Sequence, residues 1–152
     1  MKTALAFAAL LVPAAGALAG DHVYGPLPTL YTQECASCHV AYPPQLMTAP
    51  GWARLVAQLD QHFGADASLD AKTRDSIAAL LADRASTRDK HAPTEATARL
   101  TKTAWFQREH GKAQPPKGSF AECGACHTQA DQADYRERGL RSGVRSHRRE
   151  RD

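Results

Sequence analysis

Apolar positions along this chain recur at helical rather than strand spacing. The strongest run is residues 51–63. Trp52, Leu55, Val56, Leu59 and Phe63 follow one another in helical steps, and Gly64 closes the run. This predicts a helix over 51–63. A second amphipathic helix is predicted over 70–85, with Ile77, Leu80 and Leu81 on one face. A third, shorter one over 103–110 is stopped by Gly111. Residues 31–39 read as a short helical turn, and Ser119 with Glu122 forms a capping box that opens another. Between them lie a lead-in at 21–30, a loop at 41–50 and a polar linker at 86–97 around Pro93. A further loop at 112–118 holds Pro115 and Pro116. In the 41–50 loop, Pro43, Pro44 and Pro50 are expected to break any helix. Strand alternation is absent. The fold class is therefore all-α, short helices joined by long loops, with no repeated order of elements.

The first residues follow another logic. In MKTALAFAALLVPAAGALAG, Lys2 precedes an apolar run and small residues close with Ala17-Leu18-Ala19. That is a secretory signal peptide over residues 1–19, cleaved after Ala19. The run is too short for a membrane span, which needs about 20 apolar residues. No later segment is apolar enough to span, so the mature chain is expected to be soluble and periplasmic. About 130 residues remain, with few aromatics. Such a chain buries a thin core unaided.

Charge is unevenly placed. From Tyr135 onward seven arginines face only Glu137, Glu150 and Asp152, while the mature body before Tyr135 is net negative. Residues 141–152 are expected to form a solvated, disordered basic tail. Docking on an acidic partner or a lipid surface is its alternative role. No interleaving of aromatic and basic residues marks a nucleic-acid site, and export argues against one.

All four cysteines fall in two short motifs: Cys35, Cys38 and His39 in ECASCHVAYPP, then Cys123, Cys126 and His127 in ECGACHTQA. Cys-x-x-Cys places two sulfurs one helical turn apart, the spacing for two thioether bonds to one haem. The following His lies beneath the iron, so each motif reads as c-type haem attachment. A four-cysteine zinc site would leave the two histidines unexplained. Disulfides within such small loops gain little. A thioredoxin-like dithiol lacks its βαβ context. The cofactors are therefore two covalently bound haem c groups, on which the short helices can pack.

The second axial ligand of each iron must come from elsewhere. His62 continues the apolar stripe of the best helix, and a polar ring on such a face needs a partner. His110 ends the third helix, one turn after Phe106 and near Trp105. His22 near the mature N-terminus, His91 in the linker and His147 in the tail are expected to be solvated. Met47 is too close to His39 to reach the far haem face easily. Loop closure favours pairing His62 with the first motif and His110 with the second; a crossed pairing stays open.

These residues resemble the small dihaem cytochromes c of the DHC type. The resemblance runs from about Tyr31 to Tyr135, through ECASCHVAYPP with Leu46, LDQHFGADASLD, RLTKTAWFQREH and AECGACHTQA. It implies two c-type haems, each with two histidine ligands, and places His62 and His110 at the distal positions. It also implies electron transfer, and the family is associated with passing electrons between a membrane b-type cytochrome and a small oxygen-binding haem protein. The arginine-rich extension departs from that pattern. The expected layout is a first haem-binding half over 20–90 and a second over 91–140. The expected function is a low-potential periplasmic electron carrier, not an enzyme, with no catalytic residues. The alternatives are a peroxidase-like or gas-binding protein with one open iron, and a subunit of a larger redox complex.

Overall fold

A computed structural model of the chain describes residues 22–115 and 119–144. The leader at 1–19 and residues 145–152 of the basic tail, with His147, lie outside them. Four α-helices are formed among the described residues: α1 (Thr29–Cys35), α2 (Ala49–Val56), α3 (Ala71–Arg84) and α4 (Ala104–His110). The remainder is short 3₁₀ turns and loops, with isolated bridges in place of strands.

Helices α3 and α4 form close to where they are predicted, because their start signals are local. The Asp70 carboxylate accepts from the Thr73 N–H at 3.1 Å, and the Thr103 hydroxyl accepts from the Phe106 N–H at 3.2 Å. Each satisfies one of the donors left open at a helix start.

The helix expected over 51–63 differs at both ends. It begins at Ala49, and Pro50 lies within its first turn, where a missing N–H loses no partner. It stops at Val56. Beyond that point the Gln58 N–H bonds the Leu55 carbonyl and the Gln61 N–H bonds that of Gln58, closures of three residues instead of four. A 3₁₀ turn repeats every third residue on one side. The apolar spacing from Leu59 to His62 therefore persists although the α-helix has ended. The capping box at 119–122 does not form either. The Ser119 hydroxyl accepts from Ala121 N–H, two residues on, and the second motif adopts a 3₁₀ turn, Cys123–Ala125. A local hydroxyl turn has replaced the helix cap.

The core is small. Helices α2 and α3 pack together through Trp52 and Val56 on one side and Ile77 and Leu81 on the other. Tyr31, Leu46, Met47, Leu100, Trp105 and Phe106 extend it toward α4. The buried indole N–H of Trp52 donates to the Pro44 carbonyl at 2.7 Å.

The segment 86–97 is not the solvated linker its polarity suggests. Ser86 N–H bonds the Met47 carbonyl, and Thr48 N–H bonds that of His91. His91 is 7% exposed. Its Nδ1–H donates to the Leu46 carbonyl at 3.1 Å, and its ring stacks on Trp105 with centres 5.0 Å apart. A histidine with a carbonyl and an aromatic face can be buried without a metal.

The N-terminal lead-in is also held. Tyr24 N–H bonds the Ala133 carbonyl, and Tyr135 N–H bonds that of His22. The tail boundary expected at Arg141 moves. Arg141 donates its backbone N–H to Cys126 O and its Nε–H to Gly124 O, so residues 136–144 fold back along the second motif.

Candidate haem sites

The first motif begins where α1 ends. Cys35 is the last residue of α1, while Cys38 and His39 lie in the turn beyond it. The His39 Nδ1–H donates to the Val40 carbonyl at 2.8 Å. A carbonyl can only accept, so Nδ1 carries the proton and Nε2 of the neutral ring keeps a lone pair. Tyr42 lies flat against this imidazole, with centres 4.5 Å apart and planes at 12°.

His62 reaches the same place from the far side. It follows the 3₁₀ turn Leu59–Gln61, and the chain then reverses through Phe63 and Gly64, both at positive φ of 53° and 99°. The Ala65 N–H closes onto the His62 carbonyl. Phe63 is 43% exposed, and the Arg99 guanidinium sits 4.1 Å from its ring centre. The rings of His62 and His39 have centres 6.2 Å apart with planes at 30°.

The second site repeats the arrangement with different supports. His110 ends α4, its Nδ1–H donating to the Phe106 carbonyl one turn back at 3.2 Å. Its ring lies on that of Phe106 with centres 4.1 Å apart, and Phe120 meets both rings edge-on. His127 follows the 3₁₀ turn of the motif, with Tyr135 at 5.2 Å. The centres of His110 and His127 are 6.3 Å apart, with planes crossed at 69°.

Burial disfavours the protonated form of one ring in each pair. Burial lowers the pKa of His62, helped by His39 and Arg99, and burial pushes His127 down to about 4, helped by His110. A neutral imidazole is the form that ligates metal. The thiols move the other way. Burial raises Cys35 to about 11 and Cys123 to about 12, with Glu34 adding at the first and Cys126 and Glu122 at the second. Reactive thiols have lowered values, so Cys35 and Cys123 lack that signature.

The donor set fits haem c. All four cysteines are unpaired, which leaves each sulfur available for a thioether bond. Among the described residues, no three His, Cys, Asp or Glu side chains converge on one point. His127 Nδ1 is buried without a partner, as is the Tyr135 hydroxyl. Each motif histidine has a second histidine ring near it, with centres 6.2 Å apart at the first motif and 6.3 Å at the second.

The other candidates lie elsewhere. Met47 is fully buried in the core, and its backbone is tied to Ser86. His22 is exposed beside Tyr24 and Trp105. Sequence reasoning missed Tyr42 and Tyr135 as aromatic partners of the motif histidines. Tyr42 stands three residues after His39, a faint signal that spacing alone does not raise above background.

The family model for dihaem cytochrome c, DHC, matches residues 31–135. No curated protein matches the chain significantly. A crystal structure of DHC purified from Rhodobacter sphaeroides is similar at 35% identity and a TM-score of 0.61, covering 77% of this chain and 99% of that one. A dihaem cytochrome type c from Shewanella baltica OS155 is similar at 32% identity and a TM-score of 0.63, covering 75% and 93%. No helix among the described residues is long and apolar enough to cross a membrane. The chain belongs to the dihaem cytochrome c family of electron-transfer proteins and carries two covalently bound haem c groups.

Proposed function

We propose that this chain is a periplasmic electron carrier in which each iron is held by two histidines. His39 and His62 serve the haem on Cys35 and Cys38. His127 and His110 serve the haem on Cys123 and Cys126. The observation that carries this reading is the pair of ring separations, 6.2 Å and 6.3 Å. Two imidazoles bound on opposite sides of one metal, each at about 2.0 Å, put their ring centres roughly 6 Å apart. Both local pairs meet this condition, which favours local over crossed pairing.

Haem supplies a one-electron couple at each site. The protein's part is to hold four imidazoles oriented. The Nδ1–H bonds of His39 and His110 to backbone carbonyls fix their tautomers and make those rings stronger donors. Two such donors favour the ferric state more than a Met/His pair does, so low potentials are expected. With His39 and His62 holding one iron and His110 and His127 the other, a bound haem would take up and release an electron without gaining or losing a protein ligand, as suits a carrier better than an enzyme. Met47 lies in the core and does not compete.

The proposed partners are redox proteins. The family resemblance points to a membrane b-type cytochrome and a small oxygen-binding haem protein. The leader motif at residues 1–19 supports export. The test is the electron paramagnetic resonance spectrum of the ferric protein. Two low-spin centres without a methionine–iron absorption band are expected. A high-spin component in the unmutated protein would overturn the ligation at that centre.

A further inference from the structure

We propose that Tyr42 couples the two haem sites electronically, its ring lying on the His39 imidazole and its hydroxyl bonded to the chain beside Cys123. This rests on the ligation of His39 proposed above.

Three observations carry it. The Tyr42 and His39 rings are stacked, with centres 4.5 Å apart and planes at 12°. At the opposite end of the same side chain, the hydroxyl donates to the Ala121 carbonyl at 2.8 Å, a contact spanning 79 residues of sequence. Ala121 is two residues before Cys123, whose sulfur is a thioether position of the second haem. The buried Tyr31 hydroxyl bonds the Tyr42 backbone carbonyl at 2.8 Å, off this side-chain route. One side chain thus runs from an axial ligand of the first site to the backbone that carries the second.

Electron tunnelling decays steeply across gaps and less steeply through stacked rings, hydrogen bonds and covalent bonds. The path from His39 through Tyr42 and Ala121 to Cys123 contains one ring stack and one hydrogen bond. In the transfer, one electron leaves a ferrous centre, which becomes ferric, and enters a ferric centre, which becomes ferrous. No bond of Tyr42 forms or breaks, and its proton stays on oxygen. Tyr42 is the medium of the transfer and not a station that is itself oxidised. The same stack limits rotation of the His39 ring, so Tyr42 also positions that ligand.

The test uses the full holoprotein. One electron is injected photochemically, and its redistribution between the two haems is followed optically. Tyr42→Phe keeps the ring and removes the hydrogen bond, and is expected to slow exchange severalfold with both centres low-spin. Tyr42→Leu removes the stack as well, and is expected to slow exchange further and shift the resonance signal of the first centre. Tyr31→Phe removes a comparable hydrogen bond outside the path, and is expected to lower thermal stability while leaving the exchange rate unchanged. An unchanged rate in Tyr42→Leu with both centres low-spin would overturn the role of Tyr42 and leave the ligation intact. Equal slowing in Tyr31→Phe and Tyr42→Phe would overturn it too, since general loosening would then be the cause. A high-spin first centre in the unmutated protein would instead overturn the ligation itself.

Discussion

His110 and His127 face one another with ring centres 6.3 Å apart and planes crossed at 69°. His39 and His62 keep nearly the same separation, 6.2 Å, at only 30°. The difference follows from what each ring lies on. His110 is flat against Phe106, from its own helix, and His39 is flat against Tyr42, from the loop after its motif. Near-parallel imidazole planes separate the energies of the iron d orbitals, whereas crossed planes leave two of them nearly equal. Two distinct low-spin resonance signals are therefore expected, a rhombic one from the first centre and one with a single large g value from the second. His62→Ala should abolish only the rhombic signal, and His110→Ala only the other. Loss of both signals in either variant, or of neither, would contradict the pairing.

Acid should act late on the His127 ring of the haem-free chain. Burial, with His110 adding, holds His127 neutral down to about 4. An unfolded chain takes up this proton near its ordinary value of about 6.5. The contribution of His127 to stability is therefore complete above about pH 6.5, falls as pH drops toward about 4, and levels off below. Metal binding also requires the neutral ring. A proton-resonance titration of the His127 ring in the haem-free chain should place its midpoint at about 4. A transition centred near pH 6 would contradict this.

His91 separates a structural histidine from a ligand. It is buried, bonded to the Leu46 carbonyl and stacked on Trp105. His91→Ala should cost about 1–3 kcal/mol by removing that bond and leaving the carbonyl buried without a partner. Thermal melting should register the loss, while the ferric spectrum of both haems stays low-spin.

The reversal after His62 should be sensitive to backbone change. Gly64 sits at φ 99° with open space where a Cβ would go, so a substitution is opposed by conformation alone. Gly64→Ala is expected to destabilise the protein by about 1–2 kcal/mol and to admit some high-spin character at the first centre only. Gly51 is opposed by crowding instead. A Cβ there would lie 2.7 Å from Met47 Cγ and 2.8 Å from Pro93 Cδ. Gly51→Ala should cost about 1–3 kcal/mol in a melting experiment without touching either haem spectrum.

Much of the site was legible because its chemistry is local. Cys35, Cys38 and His39 fall within five residues, as do Cys123, Cys126 and His127, and two such groups leave few readings open. Helices α3 and α4 were legible for the same reason, since Asp70 and Thr103 cap them from within one turn. The α2 region was legible in its apolar spacing but not in its backbone. Three-residue and four-residue turns share a stripe over short distances, so the pattern ran on through Leu59 after the α-helix had stopped.

Composition misled at residues 86–97. The segment is polar, yet its backbone bonds Met47 and its His91 fills a place between Leu46 and Trp105. Burial of a polar ring depends on a carbonyl 45 residues away, and no local pattern encodes that.

By itself, the sequence singled out the expected haem attachment residues, and the resemblance it carries named the family. It also pointed to His62 and His110 as the expected distal ligands. Only the tertiary structure decided that His62 stands across from His39 and His110 across from His127. It also decided that Tyr42 spans the two sites and that His91 belongs to the core. The physical reason is the range of the forces. A motif is written by covalent spacing along the chain, whereas the gap between two rings is set by packing among segments that the chain order keeps apart.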